Sequence, residues 1–387
     1  MVKVALVPCT DYAQAEKAVE TAIDLIGGVE TLINKEEKLL LKPNLLAKTP
    51  VEKACTTHPA VFGGVAKYLL AHGYTHLSYG DSPGHGDPHG NAKECGIAAA
   101  ADALGIPAAD FSGGIRTPYA GGKVANEFIL ANAVPEADGI INICKMKTHM
   151  LERITGAQKN LFGCVFGLNK GASHVKFPNS VEFAKMLADL NCMLPARLHI
   201  MDGVVAMEGN GPQSGTPKQM GVILASTDPI ALDTVFASLV YLDPTLVPTN
   251  VIGGARGVGE CNAAKIEVVT PGGSLTVPEA QAKYGDKTFD VYRAPEDKGE
   301  IKYLRPFKKL IRRRPKIKKD LCVKCGICVK SCPVPGGALH FEKKGKPPVY
   351  DYSKCIGCYC CQEMCPQRAI YDYQNPIAKI ANIKFKI

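Results

Sequence analysis

Short apolar runs alternate along the first 270 residues with segments whose apolar side chains recur at helical spacing. The runs at residues 2–7, 38–44 and 75–79 predict buried strands. Residues 11–26 and 58–72 predict the helices that follow the first two of them. Strands that alternate with helices in this way predict an α/β sheet with helices on both faces.

The same alternation continues further along the chain. Strands are predicted at residues 140–143, 198–201, 221–225 and 265–270. Helices are predicted at residues 91–104, 154–168, 181–190 and 228–241. Residues 271–298 are rich in glycine, proline and charge, which predicts a loop or an edge element. We therefore expect a large Rossmann-like α/β domain with a mainly parallel sheet over residues 1–300.

Two runs of cysteines with identical spacing follow this region. In each run the four cysteines are separated by two, two and three residues, and proline follows the last. The runs are Cys322, Cys325, Cys328 and Cys332, then Cys355, Cys358, Cys361 and Cys365. This spacing is typical of proteins that bind two [4Fe–4S] clusters, in which the fourth cysteine of each run ligates the other cluster. We therefore assign one cluster to Cys322, Cys325, Cys328 and Cys365, and the other to Cys355, Cys358, Cys361 and Cys332.

Zinc and disulfide bonds are the competing uses of these cysteines. Zinc sites favour paired C-x2-C knuckles over two triplets that each continue to x3-C-P. Disulfides need an oxidising compartment, and the chain opens on a predicted strand rather than a secretory signal. Cys360 would give a one-residue spacing beside Cys361, so we predict that it is a spare thiol. Residues 316–373 resemble a bacterial ferredoxin, which implies a small α+β domain with two clusters.

Composition and charge narrow the remaining choices. The 387 residues are 46% hydrophobic and 21% charged, as expected for a soluble protein of two or three domains. The sequence contains no run of 18 apolar residues, so no membrane-spanning helix is predicted. Clusters that are damaged by oxygen favour a location in the reducing cytoplasm.

Positive charge is concentrated in one segment. Residues 302–319 hold ten Lys and Arg and no acid, so subtracting 10 from the net charge of +9 leaves −1 elsewhere. We predict a basic connector at residues 301–319, then a ferredoxin-like domain with a C-terminal tail at residues 320–387. No nucleic-acid-binding motif accompanies the charge. It is therefore expected to be a solvated connector or to cradle an acidic redox partner protein.

Polar residues cluster at and beyond the predicted strand ends, where open α/β sheets bind ligands. We predict catalytic roles for Lys147, His149 and Asp81, because these types can move protons beside an anion. The predicted binding groups are Lys42, Asn44, Lys145, Lys159, Asn160, Asp202 and Glu208. Further candidates are Ser82 and His85, which follow a predicted strand, and Lys170 and His174, which lie beyond Lys159 and Asn160. Lysines and histidines beside carboxylates suit a small anionic substrate. The alternative is a metal ion held by His149, His174, Asp202 or Glu208.

Five motifs carry a resemblance to a known family. They are Lys42-Pro43-Asn44, Gly80-Asp81-Ser82-Pro83-Gly84, Lys145-x-Lys147-Thr148-His149, Lys159-Asn160-Leu161-Phe162-Gly163 and Asp202-Gly203-x4-Glu208-Gly209-Asn210-Gly211-Pro212. They resemble the family called domain of unknown function 362, whose members are often fused to a ferredoxin-like module. The resemblance implies an α/β fold and a shared site, and supplies no reaction.

The combined pattern predicts an iron–sulfur oxidoreductase that passes electrons through two clusters to a small anionic substrate. Two other functions stay open from the sequence. One is a non-enzymatic electron carrier or cluster-delivery protein, and the other is a redox sensor that acts on a partner through the basic connector.

Overall fold

The computed structural model describes residues 1–83, 86–167, 169–295 and 313–373. Its larger part, residues 1–295, is organised around a nine-stranded sheet, with a separate two-stranded hairpin. The strands of this part are β1 (Val2–Pro8), β2 (Leu39–Pro43), β3 (Leu77–Tyr79), β4 (Gly114–Pro118), β5 (Glu127–Ala131), β6 (Gly139–His149), β7 (Arg153–Thr155), β8 (Ala196–Glu208), β9 (Thr216–Ser226), β10 (Ile266–Thr270) and β11 (Gly273–Thr276).

The strand order of the large sheet is β11-β10-β1-β9-β8-β6-β2-β3, and β7 pairs with the outer end of β6. Strands β1, β2, β3, β6, β8 and β10 run in one direction, while β7, β9 and β11 run against them. The hairpin β4–β5 forms a sheet of its own. The predicted α/β fold with a mainly parallel sheet is confirmed.

Helices cover both faces of the sheet. They are Ala15–Leu25, Pro59–Ala71, Pro88–Glu94, Ile97–Asp102, Ala133–Glu136, Ala157–Asn160, Asn169–Lys176, Ser180–Met193, Pro229–Leu239, Pro248–Ala255 and Val277–Tyr284. Leu39 and Leu41 of β2 pack in one apolar core with the first two helices, whereas Leu40 packs in another core with Ser180–Met193. Since successive side chains of a strand point to opposite faces, β2 is buried on both sides.

Strand β6 is longer than the sequence predicts. It runs over 11 residues to His149, all of them buried, whereas the apolar pattern predicts a strand that stops at residue 143. Strand β7 pairs with this extension, with Lys147 opposite Thr155 and His149 opposite Arg153. The motif from Cys144 to His149 therefore lies within a strand and not after one.

The helix predicted at residues 154–168 is wrong. This stretch instead holds the end of β7, the four-residue helix Ala157–Asn160 and a 3-10 turn at Leu161–Cys164. The helix begins where the Asp233 carboxylate accepts hydrogen bonds from the backbone N–H groups of Ala157 and Gln158, at 2.6 and 3.1 Å. The start of this short helix is thus set by a cap from Asp233, which is distant in the sequence, and not by the local apolar periodicity.

Two other segments differ in detail from the sequence predictions. The helix predicted at residues 91–104 is divided into Pro88–Glu94 and Ile97–Asp102 by Gly96, whose φ of +82° is left-handed. The segment predicted as loop or edge element after residue 270 contains the edge strand β11 and the helix Val277–Tyr284.

The smaller part of the described chain, residues 313–373, is a compact module of two antiparallel strand pairs and two short helices. Its elements are β12 (Arg314–Ile317), Ile327–Lys330, β13 (Leu339–His340), β14 (Val349–Tyr350), Cys360–Glu363 and β15 (Ile370–Tyr373). Strand β12 pairs with β15 and β13 pairs with β14. Residues 314–317, predicted as connector, thus lie in the module's own sheet, whereas residues 301–312 are outside the described part of the chain.

The module packs against the larger part just beyond the end of β8. Gln362 is fully buried, and its Nε2 donates to the carbonyl oxygens of Asn210 and Gly211 at 2.8 and 3.1 Å. Asn210 Nδ2 in turn donates to the Ile370 carbonyl at 3.0 Å. No helix within the described ranges is long and apolar enough to cross a bilayer.

Candidate functional site

Four thiols of the small module surround one cavity. Its lining includes Cys322, Cys325 and Cys328 of the first run and Cys365 of the second run. Burial and the neighbouring thiols Cys365, Cys325 and Cys322 raise the pKa of Cys328 to about 11, so the four groups interact closely. Three ligands from one loop and a fourth from the other run fit the expected [4Fe–4S] cluster.

Three thiols of the second run, those of Cys355, Cys358 and Cys361, also lie together, and two of them are buried. Burial raises the pKa of Cys361, and the neighbouring thiols Cys358 and Cys355 raise it further. The backbone N–H of Ala338 donates to Cys332 Sγ at 3.2 Å, and that of Ala369 donates to Cys365 Sγ at 3.3 Å. Hydrogen bonds to sulfur are one of the features that tune iron–sulfur clusters, so the donors fit the same use.

The two cysteine loops have the same local structure, which identifies the position of Cys360. Each short helix begins after a residue with left-handed φ, Gly326 at +77° and Tyr359 at +63°. Cys360 is therefore the counterpart of Ile327, the residue directly before the third cysteine of the first loop. Both residues line a second, larger cavity, although Ile327 also lines the first cavity and the Cys360 thiol lies beside that of Cys358.

The larger cavity, with a volume of about 430 Å³, lies between the two parts of the chain. One wall follows the carboxyl ends of β2, β3 and β6 and includes Asn44, Asp81, Lys147, Lys159, Lys170 and His174. The other wall comes from the module and includes Ile327, Lys330, Ser331, Cys360, Glu363 and Met364. Small-molecule sites have volumes of roughly 300–1,000 Å³, and strand ends of α/β sheets are where ligands bind.

A buried ion pair adjoins the cavity, whose lining includes Asp81 but not Lys42. Lys42 Nζ lies 2.8 Å from Asp81 Oδ1, and both side chains are almost completely buried. The other oxygen, Asp81 Oδ2, accepts from the backbone N–H of Leu45 at 2.7 Å. A Cβ on Gly163 would lie only 1.8 Å from Asp81 Oδ1, so the pair requires glycine at that position.

Lys147 is held by a chain of side-chain amides. Its Nζ donates to Asn44 Oδ1 at 2.9 Å and to the Cys55 carbonyl at 2.7 Å. Asn44 Nδ2 donates to Asn160 Oδ1, and Asn160 Nδ2 donates to Asn142 Oδ1, both at 2.7 Å. Burial lowers the pKa of Lys147 to about 8, so its charge changes close to neutral pH.

Three further cationic or ionisable groups face the cavity. Burial lowers the pKa of Lys170 to about 7, although Asp81 opposes the shift. His174 is 4% exposed and stacks on Phe183, and its Nδ1 has no hydrogen-bond partner among the described residues. Lys159 is half-buried, with Nζ 6.0 Å from the centre of the Phe162 ring and no ion-pair partner in the described ranges. Within the described residues, Lys159 therefore offers an unpaired ammonium to a ligand, and His174 offers an unpaired ring nitrogen.

His149 lies behind the cavity wall and holds the module's Glu363. Its Nδ1 accepts from the backbone N–H groups of Leu151 and Glu152, both at 3.1 Å. The ring proton is therefore on Nε2, which donates to Glu363 Oε1 at 2.9 Å. Burial lowers the pKa of His149 to about 4, so this histidine is neutral at physiological pH. Its predicted catalytic role stays a prediction.

Residues 39–238, more than half of the chain, match the family described as domain of unknown function DUF362. The chain belongs to this family. Residues 314–366 match the family of 4Fe-4S dicluster domains, so a ferredoxin-type iron–sulfur module follows the DUF362 domain.

Three relatives agree with this division of the chain. A thylakoid-associated protein of Synechocystis, sll1697, is 35% identical over 234 residues, which is 60% of this chain and 72% of the relative. A ferredoxin of Pyrobaculum islandicum is 37% identical over 54 residues, which is 14% of this chain and 48% of the ferredoxin. Pyruvate synthase subunit PorD of Methanocaldococcus jannaschii is 39% identical over 57 residues, 15% of this chain and 63% of its own. The last two matches support iron–sulfur electron transfer by the module.

Some predicted residues of the DUF362 domain lie in a second buried network. Lys145 Nζ lies 2.7 Å from Asp202 Oδ2 and donates to Tyr12 Oη at 3.1 Å. The Asp202 carboxylate also accepts from the Tyr12 hydroxyl and from the backbone N–H of His58. Tyr12 and His58 stack with ring centres 3.4 Å apart. Sequence reasoning missed both rings, because neither has a motif or a strand-end position.

The remaining predicted residues are dispersed. Glu208 accepts from the backbone N–H of Asp290 at 2.8 Å and does not line the cavity. Ser82 lines the cavity, while His85 falls outside the described residues. Within the described residues of the DUF362 domain, no three His, Cys, Asp or Glu side chains converge closely enough to hold a single metal ion. The cavity residue Glu363 has no signal of its own, because a helix carboxylate looks ordinary in sequence.

Proposed function

We propose that this protein is an iron–sulfur oxidoreductase that acts on a small anionic substrate bound in the cavity between the DUF362 domain and the dicluster module. The supporting observation is the composition of the two walls. Lysines and asparagines from the strand ends form one wall, and the helices that carry the cysteine loops form the other. A ligand in this space would touch both the binding groups and the redox module.

The charge of the cavity favours an anion. Its lining contains Lys147, Lys159, Lys170 and Lys330, against the carboxylates of Asp81 and Glu363. Lys42 already pairs with Asp81, so the lysines of the lining are in excess. Lys159 is the central cation, because its charge acts on Lys147, Lys170 and Glu363 alike. We assign it to the substrate's anionic group.

The same wall can supply protons. Burial lowers the pKa of Lys170 to about 7 and that of Lys147 to about 8, values that suit a general acid close to neutral pH. In the reducing direction the substrate would gain two electrons and two protons, and the lysines would recover their protons from water. When bound, the two clusters would supply one electron each, recharged by a reduced electron-carrier protein. His149 would position Glu363 and keep the module docked.

Anaerobic reoxidation of the reduced protein tests the proposal. Protein reduced with dithionite and then desalted would be mixed with a panel of oxo-acids and organic phosphates, and recovery of visible cluster absorbance would be followed. We expect at least one anion to reoxidise the wild type. Lys159→Gln should weaken the apparent affinity about 10- to 100-fold, since a hydrogen bond to a charged group contributes roughly 1.5–3 kcal/mol.

Lys176→Gln is the matched control, because Lys176 is exposed and lies beyond the cavity on the same helix as Lys170. It should reoxidise like the wild type, and all variants should retain their iron. If only electron-accepting proteins reoxidise the wild type, and they reoxidise Lys159→Gln at the same rate, the carrier function replaces this proposal.

A further inference from the structure

The loop that carries the first cysteine run presents apolar side chains to solvent. Leu321 is 43% exposed, Val323 is 59% exposed and Phe341 is 41% exposed. Cys325 itself is exposed, and the Phe341 ring lies 3.4 Å from the point where a Cβ of Gly326 would stand. Leu321 and Val323 flank Cys322 in the chain and Phe341 lies next to Gly326, so the three apolar residues border the first cysteine run. Exposed apolar groups that cluster in this way mark an interaction site.

Lysines surround this apolar group. In the described stretch 318–346 the exposed acids are Asp320 and Glu342. The exposed lysines next to the cage or on the Phe341 loop are Lys318, Lys319, Lys324, Lys343, Lys344 and Lys346. Six cations against two carboxylates give this face a positive potential, which accelerates association with an acidic surface.

The second cysteine run has the opposite environment. Cys358, Cys360 and Cys361 are each less than a tenth exposed. The neighbouring Gln362 is fully buried against the DUF362 domain through Asn210. A redox protein can therefore approach the first thiol cage from solvent, whereas the second run faces inward. The two cages differ in access although their loops share one backbone structure.

We propose that Leu321, Val323 and Phe341, with the surrounding lysines, form the docking surface for an acidic electron-transfer protein that exchanges electrons at the first cluster. The apolar residues would exclude water at the centre of the contact, and the lysines would steer the partner and form the rim. The inference extends the proposed function by assigning the partner's chemistry, and it needs only the module to be redox-active. An anionic membrane is the weaker alternative, because lipid would cover the cage that must exchange electrons.

Stopped-flow reduction by an acidic flavodoxin hydroquinone tests this surface, with no small anion present. The wild-type second-order rate constant should fall steeply as ionic strength rises, because exposed charges are screened. The triple variant Lys324→Glu, Lys343→Glu, Lys344→Glu should react at least about tenfold more slowly at low salt and show little salt dependence. Val323→Ser should slow the reaction at every ionic strength while leaving the salt dependence unchanged.

A matched triple variant places the same charge changes on exposed lysines of the DUF362 domain: Lys17→Glu, Lys93→Glu and Lys265→Glu. It should keep the wild-type rate. Since no small anion is present in this assay, its outcome does not depend on the substrate proposal. Iron analysis must show intact clusters in every variant. Equal losses in the two triple variants, or a wild-type rate independent of salt, would overturn the proposal. The proposal would also be overturned if the Lys324, Lys343 and Lys344 variant lost binding to anionic phospholipid vesicles while its rate with flavodoxin stayed unchanged.

Discussion

Removal of the Asp81 charge tests how much the buried Lys42–Asp81 ion pair contributes to stability. Asp81→Asn keeps an acceptor for the Leu45 N–H but leaves the Lys42 ammonium, which is fully buried, without its partner at 2.8 Å. Removing one member of a buried pair costs about 3–5 kcal/mol.

We therefore expect the free energy of unfolding to fall by about 3–5 kcal/mol, measured by urea unfolding with circular dichroism. The exposed pair of Arg116 and Glu127 is the control, with side chains 70% and 46% exposed at 3.1 Å. Glu127→Gln should cost less than about 1 kcal/mol. Adding Lys42→Met to Asp81→Asn should restore most of the loss, since no charge is then left unpaired. Equal losses in Asp81→Asn and Glu127→Gln would refute the reasoning.

Three other outcomes are expected. Gly163→Ala should destabilise the protein by several kcal/mol, because its Cβ would lie 1.8 Å from the Asp81 carboxylate, whereas Gly63→Ala, in open space within a helix, should stabilise it by about 0.5–1 kcal/mol in the same urea assay. Cys360→Ser should leave about eight irons per chain, whereas Cys361→Ser should lose about four, by anaerobic iron analysis; loss of iron in Cys360→Ser would contradict the ligand assignment. Anion affinity should fall as pH rises through 7, where Lys170 loses its charge, and Lys170→Met should remove most of that dependence in a titration calorimeter; a pH dependence unchanged in the variant would exclude Lys170.

The strands that the sequence predicts well are the ones whose burial shows in local composition. Strand β2 is an apolar run, and its position follows from three leucines in succession. The second half of β6 gives no such signal, because Lys145, Lys147 and His149 are polar and only distant partners allow their burial. The sequence therefore predicts a loop where the structure has a strand.

The candidate site divides in the same way. Cysteine ligands come three to a loop, so their spacing carries the prediction of the cages. Strand ends bring Lys42 and Asp81 to one edge, but the sequence does not reveal that they neutralise each other. Nor does it reveal that Lys145 belongs to Asp202, since partners far apart in sequence are decided by tertiary packing. Glu363 was unpredictable because its role depends on how the module docks.

The long strand β6 fixes the distance between the hydrophobic core and the contact with the redox module. Alternate residues of a strand share a face at steps of about 6.8 Å, which places Lys145, Lys147 and His149 in a row. The first contacts Asp202 in the core, the second contacts Asn44 at the cavity, and the third contacts Glu363 of the module. Deletion of a single residue here would turn the row to the other face. The spacing Lys-x-Lys-x-His thus sets the distance between these contacts, and natural insertions or deletions should be confined to the loops at either end of β6.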